Sequence, residues 1–150
     1  MYQSILLPTD GSALSEQAAV AAIELARCSG GKLLAFSVAE PYPSAPLSEA
    51  ALVIDPGIDG QELEAIARAR VQRVVELAIA SGVSCRGAVT RSFRPHEDIV
   101  RAAQEHGCDL IFMASHGRQG LARLLAGSVA GKVLAEATVP VLVFHAPHGG

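Results

Sequence analysis

Two short polar stretches carry residue types that could hold a phosphorylated ligand. The first is Thr9-Asp10-Gly11-Ser12. The second opens with Ser115-His116-Gly117, runs through nine residues that include Arg118 and Arg123, and reaches Gly127-Ser128. Glycines permit close backbone approach, arginines answer anionic charge, and a helix start directs unpaired N–H groups and a positive dipole end toward an anion. A carboxylate such as Asp10 suits a ribose hydroxyl or a metal ion. The chemistry indicated is a phosphate cradle facing a carboxylate. Each feature also has a plainer reading. Gly117 and Gly127 can mark bends, and Ser128 can be an ordinary N-cap. Asp10 can stabilise its own turn, and His116 can bond to its own loop. Spacing alone leaves both readings open.

The elements that must position these residues follow from the apolar pattern. Tyr2 to Leu7 is a short apolar strand ended by Pro8, and Ser12 caps a helix running to about Cys28. Leu14, Ala18, Val20, Ala21, Ile23 and Leu25 form its expected apolar face. Lys32 to Ala39 reads as a strand buried on both faces. The stretch 40–57 is rich in Pro, Ser and Ala without a clean period, as functional loops are. Helical signal returns from Gln61 to Ala80, with Arg68, Arg70 and Arg73 on the expected solvated side. Val83 to Val89 is the third strand, and Pro95 begins a helix that ends before Gly107. Asp109 to Ala114, a helix from Ser128 to near Ala137, and Val139 to Phe144 complete the pattern, followed by a short polar tail over 145–150.

Five strands alternate with four helices, which predicts one α/β domain over 1–150 with an open five-stranded parallel sheet and helices on both faces. Right-handed crossovers leave two doubly wound orders, 3-2-1-4-5 and 2-1-3-4-5. Under the first, the ligand crevice lies beyond the carboxyl ends of strands one and four. Those strands end at Thr9-Asp10 and at Ser115-His116-Gly117, so the two polar stretches converge.

Composition excludes several classes. Half of the residues are hydrophobic and 18% are charged, which is the balance of a folded chain. A net charge of −3 and an absence of Trp argue against nucleic-acid binding. No apolar run approaches the roughly 18 residues that span a bilayer, and no signal peptide is visible at the start, so a cytoplasmic location is expected. Cys28, Cys85 and Cys108 are odd in number and widely spaced, as buried reduced thiols are. Gly127 to Val133 imitates a Walker A loop but is one residue short between its glycines and has Val where a Mg²⁺-binding Ser or Thr belongs. No GxGxxG follows the first strand, and no GxSxG elbow is present. His96, His106, His145 and His148 lack metal-ligand spacing.

LLPTDGS after the first strand, DLIFMASHGRQGLARLLAGSVAGKVL and the closing VPVLVF together resemble the universal stress protein family over essentially the whole chain. The resemblance implies an adenine-nucleotide-binding domain with strand order 3-2-1-4-5, a regulatory stress-response role and a homodimer paired through Val139–Phe144. The ATP-binding branch carries G-x2-G-x9-G-[S/T]. Here Gly117, Gly127 and Ser128 match, and Ala114 stands at the first glycine. By the same resemblance Asp10 and Val38 contact ribose and adenine, and Pro8, Thr9, Met113 and Val129 line the site. Ala114, Gly117, Gly127 and Ser128 are the positions of that motif, with His116 as a candidate nucleotide contact and Arg118 as a candidate answer to phosphate charge. ATP, with Mg²⁺ as a candidate companion, is the implied cofactor. An unidentified protein partner would read the ligand state. No residue has a clear general-base role, so hydrolysis is left open, and a nucleotide-free interaction protein of the same fold is the alternative.

Overall fold

The computed structural model describes residues 2–39, 60–115 and 128–145. Nine elements alternate among the described residues. They are β1 (Ser4–Pro8), α1 (Ala13–Ser29), β2 (Lys32–Ala39), α2 (Gly60–Ala80), β3 (Cys85–Arg91), α3 (Pro95–Glu105), β4 (Leu110–Ala114), α4 (Val129–Glu136) and β5 (Val141–Phe144). The five strands form one sheet in the order β3-β2-β1-β4-β5, and all neighbouring pairs are parallel. This is the first of the two orders allowed by the sequence pattern.

Alternation along the strands divides the interior into two layers. Ile5, Leu7, Leu33, Ala35, Leu110 and Phe112 face one side, where Ala18, Ala22 and Ala26 of α1 and Val71, Val74 and Ala78 of α2 cover them. Leu6, Leu34, Phe36, Ile111 and Met113 face the other, against Ile99, Ala102 and Ala103 of α3 and Ala130 and Val133 of α4. The alanines allow helices to approach the sheet closely, and the two layers are filled largely by aliphatic side chains with few aromatics.

The structure corrects the expected apolar face of α1. Val20 is 58% exposed, and Ala19, Ala22 and Ala26 occupy buried places instead. A mixed Ala/Val/Leu helix offers several stripes of similar hydrophobicity, and only packing against the sheet selects one. Strand three also begins later than the pattern predicts. Gly82, at φ +78, lets the end of α2 turn back, and the Val83 N–H donates to the Ala78 carbonyl. Val83 therefore belongs to the helix cap, with its side chain buried in the core. Likewise Val139 and Pro140 precede β5 rather than joining it, although the Pro140 carbonyl accepts from the Ile111 N–H at 3.0 Å. Cys28 is exposed and Cys85 only partly buried, so of the three thiols just Cys108 is buried as expected. Burial pushes the thiols of Cys85 and Cys108 above their ordinary range.

Asp109 joins the starts of β1 and β4. Its two carboxylate oxygens accept the N–H groups of Gln3 at 2.9 Å and Ser4 at 3.0 Å. Partial burial pushes this carboxyl up, but hydrogen bonds from the backbone of Gln3, Ser4 and Asp109 itself outweigh that and hold it below its ordinary value. A depressed folded-state value contributes stability above the unfolded value of about 3.9, and that contribution is lost as pH falls through the folded value. Asp109→Asn should therefore be less stable than the parent at pH 7 and pH 5, with the gap closing toward pH 3. Urea melts at the three values measure this, and a gap that stayed constant would show that the charge of Asp109 has no part in it.

Candidate functional site

In this strand order β1 lies between β2 and β4, and the chain leaves β1 on one side and returns on the other. Successive crossovers from neighbouring strands then run to opposite faces, which opens a crevice at the carboxyl ends of β1 and β4. Pro8 and Thr9 end the first strand and Ala114 and Ser115 end the second. β1 is also registered on β2 as far as Pro8↔Phe36, and the Thr9 N–H donates to the Phe36 carbonyl at 2.9 Å. Val38 lies two residues further along β2.

The β1–α1 turn is tied together by its own side chains. Thr9 is buried, and its hydroxyl lies 3.3 Å from that of Ser15, which donates in turn to the Ser12 carbonyl at 3.0 Å. Asp10 Oδ1 accepts the Ser12 N–H at 2.9 Å. Ser12 caps α1 through its hydroxyl oxygen, which accepts the Ser15 N–H at 3.2 Å. The plainer reading of Asp10 as a turn stabiliser is thus correct for one of its oxygens. Ionised carboxylates have two oxygens and about four acceptor positions. A ligand contact at Asp10 would therefore not have to displace this bond.

The same division applies at Ser128. It has extended backbone and caps α4, with its hydroxyl oxygen accepting the Gly131 N–H at 3.0 Å. Capping draws on the oxygen lone pair, whereas a phosphate would take the hydroxyl hydrogen. Val129 follows at the first helical position and is partly exposed.

Other expected lining residues have different surroundings. Met113 is buried in the layer between the sheet and α3/α4, and Val38 packs against that same layer. Ala114 packs against the opposite layer, and Ser115 continues the ladder by donating its N–H to the Phe144 carbonyl at 2.8 Å. His116, Gly117, Arg118 and Gly127 lie outside the described residues, as do 40–57 and the tail beyond His145. Among the described residues no group of His, Cys, Asp or Glu could hold a metal ion, and no helix is long and apolar enough to cross a membrane.

One residue of this neighbourhood was not legible in the sequence. Arg70 of α2 reaches the β1–α1 turn and lies across Gly11. Helical periodicity groups it with Arg68 and Arg73 on the solvated side, and no local signal distinguishes it.

A doubly wound α/β domain with a polar turn and a capped helix start at its topological switch point is the class that this fold and site define. The chain belongs to the universal stress protein family, whose model matches residues 1–145. It is 36% identical over 146 residues to the Thermus aquaticus protein described as "Universal stress protein in QAH/OAS sulfhydrylase 3'region", covering 95% of this chain and 98% of that one. Among solved structures, the hypothetical protein MJ0577 of Methanocaldococcus jannaschii superposes with a TM-score of 0.80 at 26% identity, over 99% of both chains. A universal stress protein in complex with cAMP superposes with a TM-score of 0.69 at 24% identity, over 96% of this chain and 97% of that one.

Proposed function

We propose that this protein binds an adenine nucleotide, ATP foremost, beyond the carboxyl ends of β1 and β4, and acts as a regulatory stress-response module. What supports the reading is that the Asp10 turn follows β1 and the Ser128-capped α4 follows β4, the two neighbouring strands at which the order reverses. The cAMP complex of a structural neighbour supports the ligand class. Asp10, with Val38 on the adjoining strand, addresses ribose and adenine, and Pro8, Thr9, Met113 and Val129 form the walls. Ala114, His116, Gly117, Arg118, Gly127 and Ser128 address the phosphates, with Mg²⁺ as their counter-ion. Within such a site the chain supplies orientation and charge; ATP, when bound, supplies the phosphate-bearing ligand whose presence a partner reads.

Acid extraction of the purified cytosolic protein followed by nucleotide chromatography, and calorimetric titration with ATP and Mg²⁺, test the reading. Co-purified adenine nucleotide or saturable ATP binding supports it. Absence of both removes it.

Ala114 favours a second reading, a nucleotide-free interaction protein. It occupies the place of the first glycine in the ATP-binding pattern, and a methyl group there can crowd a ligand that meets the backbone. Ala114→Gly is expected to strengthen ATP binding by about tenfold, the effect of removing a contact costing roughly 1.4 kcal/mol. Binding that appears only in the glycine variant would favour the nucleotide-free reading for the natural chain.

The sheet ends at β5, and Leu142 is partly exposed there. An open edge is a template for another strand. We accordingly propose a homodimer in which Val139–Phe144 pairs with its copy, to be checked by sedimentation velocity of the parent and a Leu142→Lys variant.

A further inference from the structure

We infer that Arg70 is the positioning residue of the turn that presents Asp10. Its consequence for ligand binding rests on the nucleotide reading above. Gly11 has φ +78, a backbone conformation that side chains disfavour and that glycine shares with many alternatives. Something must therefore select this conformation from the others. Within the turn the Gly11 N–H donates to Thr9 Oγ1 at a long 3.3 Å, and Asp10 Oδ1 accepts from Ser12.

The remaining restraint comes from outside. A Cβ built on Gly11 would lie 3.1 Å from Arg70 Cγ, 3.1 Å from its Cδ and 2.9 Å from its Nε. The arginine stem thus lies flat on the Cα of Gly11, where any other residue would have a side chain. One helical turn on, Arg73 Nε meets Glu16 Oε1 of α1 at 3.1 Å. That pair is exposed and contributes little energy. It does show that the same face of α2 lies along the start of α1, which places Arg70 over the turn.

Asp10 and Gly11 share a peptide unit. Rotation of the backbone at Gly11 swings the Ser12 N–H away from Asp10 Oδ1 and removes the bond that holds the Asp10 carboxylate against the turn. Covering Gly11 blocks that rotation. The three Arg70 atoms nearest that position are two methylene carbons and Nε, so the positioning is assigned to coverage by the stem.

The test compares the parent with Arg70→Ala and Arg70→Met, where methionine keeps an unbranched stem of similar reach. Hydrogen exchange of the Ser12 amide in ligand-free protein should quicken about tenfold in Arg70→Ala and stay near the parent rate in Arg70→Met, as for a local opening. Affinities for adenosine and for ATP should fall together, by about tenfold, in Arg70→Ala only. Unchanged Ser12 exchange in Arg70→Ala overturns the inference. So does an Arg70→Met variant as impaired as Arg70→Ala, or a loss confined to ATP, because both assign the effect to the guanidinium charge. If the parent binds neither ligand, the nucleotide reading fails, and the exchange comparison still decides the role of Arg70. Circular dichroism and urea midpoints of both variants separate a local change from general unfolding.

Discussion

Asp10→Ala is expected to weaken ATP binding by about 10- to 100-fold, the range for removing a hydrogen bond to a charged group. Two effects combine. The variant loses the carboxylate oxygen proposed to meet the ribose, and it loses Oδ1, which accepts the Ser12 N–H at 2.9 Å and shapes the turn. Asp10→Asn separates them. Its side-chain oxygen still accepts from Ser12, so the turn survives, but the charge and one acceptor are gone. Calorimetry with ATP and with adenosine should give a similar loss for both ligands, because the proposed contact is to the ribose. A full loss for ATP with adenosine unaffected would move Asp10 from the ribose to the phosphates or their metal ion. Unchanged affinity for both would remove Asp10 from the site.

Ile111→Ala is expected to lower folding stability by about 2–5 kcal/mol. Ile111 has no exposed surface and stands in β4 between Leu6 of β1 and Val141 of β5. Its side chain belongs to the layer shared with α3 and α4, whose helices have their own contacts to keep and cannot close fully on the gap. Val20→Ala removes two methyl groups from a 58% exposed side chain and should change stability by less than about 0.5 kcal/mol. Urea denaturation of the two variants beside the parent measures both values. Equal effects would contradict the assignment of Ile111 to the core and Val20 to the surface.

The strength of the Ile111 effect and the weakness of the Val20 effect also mark what can be read from a linear chain. Both residues are branched aliphatics within strongly apolar segments. Ile111 is legible because a five-residue buried strand leaves it no solvent-facing alternative. Val20 is not, since α1 carries apolar residues on more than one side and helical period alone cannot say which side meets the sheet. Val83 shows the same limit at an element boundary. A β-branched residue after glycine reads as strand, yet its N–H completes the cap of α2. Local propensity and tertiary hydrogen bonding disagree there, and the hydrogen bond prevails.

At the site, Asp10 and Ser128 were legible because each sits where an apolar run stops and a helix begins. A chain must change direction at such points, and polar residues there have a defined use. Their plainer readings hold, since Asp10 Oδ1 and Ser128 Oγ each accept a backbone N–H, and the ligand contacts proposed for them call on other positions of the same groups. Met113 was named for the site by the resemblance alone, and its side chain is buried in the layer beneath α3 and α4.

By itself the amino-acid sequence determined the alternation of strands and helices, the polar ends of β1 and β4 and the capped start of α4. All of these depend on interactions within a few residues. The family followed from residues held in unbroken blocks. The apolar pattern left two strand orders open, the resemblance implied 3-2-1-4-5, and that order forms. Only the tertiary structure decided which face of α1 is buried and that Arg70 lies on Gly11. Those outcomes depend on contacts between segments far apart in the chain. Arg70 and Gly11 are separated by α1, β2 and the first half of α2, and no period or spacing along the chain encodes the direction of a side chain across that distance.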